Sequence, residues 1–439
     1  MPNTDRTVYG GSVVSSAVAE LVVIGGGLAG MAAAARLAKA RHRVLLLEQR
    51  DRLGGSWATR DLDGVTIDAA PPIFSFPAPW RDLFRKSGRS LEAEFARSGE
   101  ELVPAPATRH LFDDGTEFVL PIGRGDQDAA IAERFGRTVA DRWRDLVDGF
   151  GEVWQTLRPL GIEAELTDRD QLPRTVRKAL LHKQSLADLA DQLDHPQLSM
   201  IIRDLGHPAG ATPERVPAFC AVQLYLDRTF GRWTAGSGTT MINSLQQRLT
   251  LRKVEIRLED RATAIETDPL TVITEHDQLR ADAVIAGCDA DQLYHRLLPR
   301  GAARADRRRL DRLPDALAPA ITVGWEDSET AEPAVPTETI RHSHGGGPVI
   351  DYTRPAGDRS VRIVHDYSDP RPDPTAGVGW RGFGSWLNRP PISSELTGLF
   401  TAGPYSRGGS APSMQVLSGA LAAYGCQRLV APDRPLEPR

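Results

Sequence analysis

Residues 20–55 read ELVVIGGGLAGMAAAARLAKARHRVLLLEQRDRLGG. An apolar run, a Gly-rich turn, a small-residue stretch and a second apolar run ending in an acid follow one another without interruption. Strand, turn, helix and strand in that order are what a dinucleotide-binding βαβ unit requires. Gly25 permits the tight turn, Gly27 lets backbone N–H groups approach a pyrophosphate, and Gly30 lets the helix pack closely on the strand. Leu28 and Ala29 complete the G-x-G-x-x-G and open a helix whose N-terminus faces the phosphates. Glu48 ends the second strand about 20 residues after the glycines, where its carboxylate accepts hydrogen bonds from a ribose and repels a 2'-phosphate. FAD or NAD fits that end of the site, and NADP does not.

The rest of the composition narrows the class. The chain has 439 residues and a formal net charge of -5, enough for a large buried core, and mildly acidic where a general nucleic-acid surface would be basic. No stretch approaches the roughly 18 to 20 apolar residues of a membrane-spanning helix. Cys220, Cys288 and Cys426 form no CxxC, so neither a zinc site nor a disulfide framework is indicated, and a reducing, cytoplasmic setting is expected. His342 and His344 share a side of an extended chain but have no visible third ligand, so no metal site is expected. Residues 1–17 lack the cationic and apolar segments of a secretory signal and read as a mobile leader.

Directly after the second strand stand Gln49, Arg50, Arg52, Gly54, Gly55 and Ser56, followed by DGVTIDAAPP, a hairpin strand entering a Pro-rich turn at Ala70. On these residues the chain resembles the family of FAD-dependent amine oxidases and phytoene desaturases, which carry E-x(3)-R-x-G-G and then a strand ending near D-x-G-P. The resemblance continues in HLFDDGTEFVLP, in WTAGSGTTMINSLQQRL and in VEIRLEDRATAIE, where it implies that the backbone around Ala262 reaches the adenine. It closes in LFTAGPYSRGGSAPSMQVLSGALAA, residues 399–423, an AG pair ending at Gly403 and a helix implied to lie beneath the flavin.

The fold expected is therefore α/β, a discontinuous Rossmann-type FAD-binding domain with an inserted α+β substrate domain. Residues 18–75, 233–292 and 390–432 are assigned to the first, 76–232 and 293–389 to the second, and 433–439 to a tail. The first insertion reads as helical, with Ile131, Phe135, Val139, Leu146, Phe150, Val153 and Leu157 on one stripe. The second reads as strands in APAITVGW, GPVIDYT and SVRIVHDYS. The segment between His365 and Leu399 is shorter than the desaturases' usual helical stretch, which argues against a long polyene tunnel.

A helix N-terminus aimed at the flavin's N1 and C2 carbonyl edge stabilises the negative charge that develops there. Pro412 suits a first helical turn, and the N–H groups of Ser413 and Met414 are expected to meet the ring. Three positions depart from the family pattern: Pro404, followed by Tyr405, where the family often places an acid, Ser56 where a basic residue is common, and Ala70 where Gly is usual. Many amine oxidases use a Lys near flavin N5, and this chain has none after Lys253. Candidate substrate-side groups are Tyr225, Tyr352, Trp380 and Trp386 among the aromatics and His207, His344 and His365 as acids or bases.

The resulting expectation is an FAD-dependent desaturase or dehydrogenase that removes two hydrogens from a C–C or C–N bond of a small or medium specialised metabolite. Its electron acceptor is oxygen, a quinone or another carrier, and a homodimer is left open. The alternatives are a flavin amine or amino-acid oxidase, a non-redox FAD-dependent isomerase, and a binding protein like those that escort prenylated GTPases.

Overall fold

Leu21–Ile24 (β1), Val44–Leu47 (β2), Glu255–Arg257 (β3), Ala283–Ala286 (β4) and Leu399–Thr401 (β5) form one parallel sheet in the order β3-β2-β1-β4-β5. Every residue of β1, β2, β4 and β5 is buried, as continuous apolar runs must be when both faces of a parallel sheet are covered. The computed structural model describes residues 16–18, 21–68, 70–166, 171–235, 240–326, 335–356, 359–434 and 436. Between β1 and β4 the strand order reverses, and a crevice opens at the carboxyl ends of the strands there.

Two helices cover one face of the sheet, Leu28–Lys39 (α1) and Pro412–Val430 (α2). Their small residues let them approach closely. Ala32 to Ala35 are fully buried, and a Cβ on Gly419 would lie 2.3 Å from the Ala29 carbonyl oxygen. On the other face, Ile265, Val272 and Leu279 of an antiparallel layer pack against Val22, Ile24, Leu45 and Leu47. Alternate residues of β1 thus serve two separate cores, Val23 one and Val22 the other.

A six-stranded sheet stands over the crevice, ordered Asp315–Glu326, Arg359–Val378, Val349–Ala356, Thr337–Arg341, Thr108–Leu111, Glu117–Leu120. All its pairings are antiparallel except that of Thr337–Arg341 with Thr108–Leu111, which is parallel and joins segments far apart in sequence. The expected strands of the second insertion lie here. The expected helical stripe of the first insertion is buried or half-buried, but as two helices, Arg124–Phe135 and Arg137–Leu157. Gly136 separates them at φ 93, a left-handed conformation that ends a helix and that glycine adopts readily.

Of the stretch read as a leader, residues 1–15 lie outside the described residues. Ser16–Val18 is instead a strand paired in parallel with Gln278–Arg280, a correction to the expectation of a mobile segment up to residue 17. The Gly-rich part of WTAGSGTT, residues 236–239, also lies outside the described residues, as do 435 and 437–439 of the expected tail.

Candidate active site

The turn after β1 is held by backbone bonds from Gly25 N–H to Leu47 O (2.8 Å) and from Gly287 N–H to Ile24 O (2.7 Å). Gly25 sits at φ 100, where a Cβ would also lie 2.9 Å from the Gly287 backbone. Gly54 N–H donates to Gly26 O at 2.8 Å, so the second Gly pair is laid across the first turn. The Glu48 carboxylate accepts from Gly26 N–H at 2.8 Å and from Arg50 N–H at 2.9 Å. Asp260 N–H bonds to Glu48 O at 3.1 Å, which brings the approach to Ala262 alongside.

One cavity of about 820 Å³ runs from this turn to the six-stranded sheet. Gly25, Gly27, Leu28, Glu48, Gln49, Arg50, Gly54, Gly55, Ser56, Ala70, Ala262, Ser413 and Met414 line it, together with Tyr352, His365 and Trp380. A Cβ on Gly27 would meet nothing within 4 Å, so this backbone is bare towards the cavity. At the start of α2, Met414 N–H bonds to Ala411 O at 2.9 Å, while the Ser413 N–H has no backbone partner among the described residues. Of the two donors expected to meet a ring, only Ser413 is open. The Ser413 hydroxyl is occupied by Ser75 O and Phe76 O.

The bare Gly27 backbone, the open Ser413 N–H, and the buried Asp260 Oδ1, which lacks a hydrogen-bond partner, fit FAD laid along this cavity. The first suits a pyrophosphate, the second an electron-rich ring edge, and the third a donor such as an exocyclic amine. Pro404, where the family resemblance led an acid to be expected, lines the cavity. Tyr405 turns away, fully buried, and donates its hydroxyl to Ala286 O at 3.0 Å.

Other expected residues do not line the cavity, each for a visible reason. Ala29 and Gly30 are spent on packing: a Cβ on Gly30 would lie 2.0 Å from Gly25 O. Arg52 faces outward and pairs with Asp51 at 2.7 Å. Gly403 donates its N–H to Ser418 Oγ at 3.0 Å. His344 is exposed and pairs with Asp113 at 2.5 Å. Trp386 is fully buried, its indole bonded to Arg407 O. Tyr225 is half-buried against Gly151, and His207 is buried with its ring 6.3 Å from that of Tyr367.

The cavity's polar wall includes groups the sequence did not announce. Arg232 forms an ion pair with Glu338 at 2.7 Å, and Thr108 donates to the same carboxylate at 2.8 Å. The Arg232 guanidinium and the hydrogen bonds of Thr108 and Tyr352 hold the Glu338 carboxyl below its usual range despite burial. Burial and the neighbouring carboxylate push the Tyr352 hydroxyl well up. His110 Nδ1 lies 2.8 Å from His342 Nε2, and His342 Nδ1 lies 2.5 Å from Asp204 Oδ2. Burial, then His342 and Arg232, lower the His110 pKa well below that of a free imidazole. Burial likewise takes His365 down to about 4, and its Nε2 has no partner.

A family model described as an NAD(P)-binding Rossmann-like domain matches residues 23–87. The phytoene dehydrogenase of Streptomyces griseus is 27% identical over 295 residues, which are 65% of this chain and 57% of that protein. The chain thus spans less than two thirds of the length of this relative. Among solved structures, an oxidoreductase from Methanosarcina mazei matches with a TM-score of 0.65 at 15% identity, covering 91% of this chain and 99% of that one. Cyclohexylamine oxidase from Brevibacterium oxydans matches with a TM-score of 0.63 at 15% identity, covering 94% and 100%. Among the described residues no helix is long and apolar enough to cross a membrane. With its Gly25–Gly30 turn, Glu48 and closing helix arranged on this fold, the chain is similar to the phytoene desaturases in sequence and to the flavin amine oxidases in fold.

Proposed function

We propose that the chain is an FAD-dependent oxidoreductase that removes two hydrogens from a C–C or C–N bond of a small or medium metabolite. The observation that carries this reading is the continuity of one cavity from the Gly27 turn to the polar wall at Glu338 and His110. A nucleotide site and a substrate site in one space suit electron transfer between their occupants. When bound, FAD supplies a two-electron acceptor that takes a hydride from carbon.

The chain's own residues position and shield. Gly27 and the α1 N-terminus receive the pyrophosphate, Glu48 the ribose, and Ser413 the ring edge. Val222, Leu226, Phe219 and Trp380 supply apolar cavity wall that excludes water from the substrate. An 820 Å³ cavity that holds a dinucleotide as well leaves room for a compact substrate and little for an extended polyene. The electrons then pass to oxygen, a quinone or another carrier.

The test is purification followed by anaerobic mixing with candidate metabolites, reading the flavin absorbance and product masses. Bleaching with a product lighter by two hydrogens supports the proposal. Protein that is colourless and takes up no FAD in titration overturns it in favour of a binding role. Turnover with an unchanged product mass and no net bleaching points to the isomerase.

A further inference from the structure

The chain Asp204–His342–His110 has a direction. We infer that it presets His110 Nε2 as an unprotonated acceptor facing the cavity, ready to take a proton from an N–H or O–H group of the substrate.

The argument is one of tautomers. Asp204 is a carboxylate and accepts, so His342 carries its proton on Nδ1, 2.5 Å away. With that proton on Nδ1, His342 presents the lone pair of Nε2, and His110 donates to it from Nδ1 across 2.8 Å. That leaves His110 Nε2 as the lone-pair end, on a residue that lines the cavity, and this nitrogen has no hydrogen-bond partner among the described residues. The three groups form a line, and the described residues hold no cluster of three or more side chains able to bind a metal. Phe112 stacks on His342 with ring centroids 4.9 Å apart and an interplanar angle of 14°, which holds the imidazole plane in register.

The same line disposes of the proton. When the substrate X–H bond breaks, the proton forms a bond to His110 Nε2 and its electron pair stays on X, becoming the second bond to the oxidised carbon. The Nδ1 proton of His110 passes to His342 Nε2, and the positive charge comes to rest beside Asp204. Arg232, which also faces His110 and disfavours a cation there, drives the charge in that direction. Its own charge is held by Glu338. Balance requires that the neighbouring C–H leave as a hydride to FAD, so this step rests on the functional reading above. It narrows that reading to a bond whose heteroatom carries the hydrogen, and extends it from C–N to C–O: an amine or alcohol oxidised at the carbon bearing N or O, in preference to a hydrocarbon. His110 is the catalytic residue in this assignment, and His342 and Asp204 are positioning residues.

Long-range ¹H–¹⁵N spectra of the ¹⁵N-histidine-labelled full chain test the arrangement whether or not flavin is bound. His110 is expected to show an unprotonated Nε2, and Asp204→Leu to reverse it, because His342 is then free to carry its proton on Nε2 and His110 must accept at Nδ1. A protonated Nε2 in the parent protein, or an unchanged pattern in Asp204→Leu, overturns the preset. With flavin content verified, cyclohexylamine and cyclohexanol serve as anaerobic probes. Bleaching by at least one, slowed about 10²- to 10⁴-fold in a flavin-retaining His110→Gln variant, is the expected result. Bleaching by neither, or an unchanged rate in the variant, overturns the substrate class, whereas an absence of FAD uptake would instead defeat the flavoprotein reading.

Discussion

The carbonyl oxygen of Gly25 lies 2.0 Å from where a Cβ on Gly30 would stand. Helix α1 is thereby pressed onto the turn it follows, and the N-terminal N–H groups are held at the mouth of the crevice. Gly27, three residues earlier, is the opposite case, with nothing within 4 Å of its missing Cβ. Two glycines of one motif therefore do different work.

This difference separates ligand loss from unfolding. Gly27→Val places its side chain in the proposed pyrophosphate position, so FAD retention should be abolished while the urea midpoint of the cofactor-free protein stays nearly unchanged. Gly30→Val should cost about 1 to 3 kcal/mol of stability by overpacking. Flavin absorbance per chain and urea unfolding of both variants, each stripped of cofactor, check the pair. Normal flavin content in Gly27→Val would refute the phosphate assignment.

Glu48, at the proposed ribose position, is tied to the turn by Gly26 N–H and Arg50 N–H. Glu48→Ala leaves both donors without their acceptor, at about 1 to 3 kcal/mol, and removes the proposed ribose contact as well. FAD affinity should fall about 10- to 100-fold, measured by fluorescence titration. Glu48→Gln retains one acceptor oxygen and should lose less.

The nucleotide end was legible because its signals are local. Gly25, Gly27, Gly30 and Glu48 lie within a single βαβ unit, and each has a steric or hydrogen-bonding reason to be what it is. The roof was legible as strands but not as a site. His110 reaches His342 only because Thr108–Leu111 pairs in parallel with Thr337–Arg341, a long-range register no local pattern encodes. His342 and His344 were expected to share a side of the chain, yet only His342 lines the cavity and His344 is exposed. Arg52 matched a family position, but in this chain Asp51 beside it supplies a nearer partner.

Arg232 and Glu338 are paired inside the cavity wall, with side chains 13% and 6% exposed. Arg232→Met removes the charge that holds the Glu338 carboxylate ionised. The uncompensated acid should cost about 3 to 5 kcal/mol. Urea unfolding at neutral pH checks this, and the double variant Arg232→Met/Glu338→Leu should recover much of the loss. A double variant no more stable than the single one would show that the pair's worth lies elsewhere than in charge compensation.

His365 gives the fold an acid-sensitive element. Burial lowers its folded pKa to about 4, whereas an unfolded histidine titrates near 6.5. Above about pH 6.5 neither state binds the proton and the group is neutral to stability. As pH falls from there towards 4, the unfolded chain takes the proton first, and stability is lost at up to about 1.4 kcal/mol per pH unit, roughly 3 kcal/mol in all. His365→Gln removes this titration. Its stability relative to the parent should therefore improve steadily as pH falls from about 6.5 to 4, whatever the offset between the two proteins at pH 7. Urea midpoints measured across that range provide the comparison. Parallel curves for the two proteins would mean that His365 is solvated rather than buried neutral, and that the cavity wall on which it lies admits water.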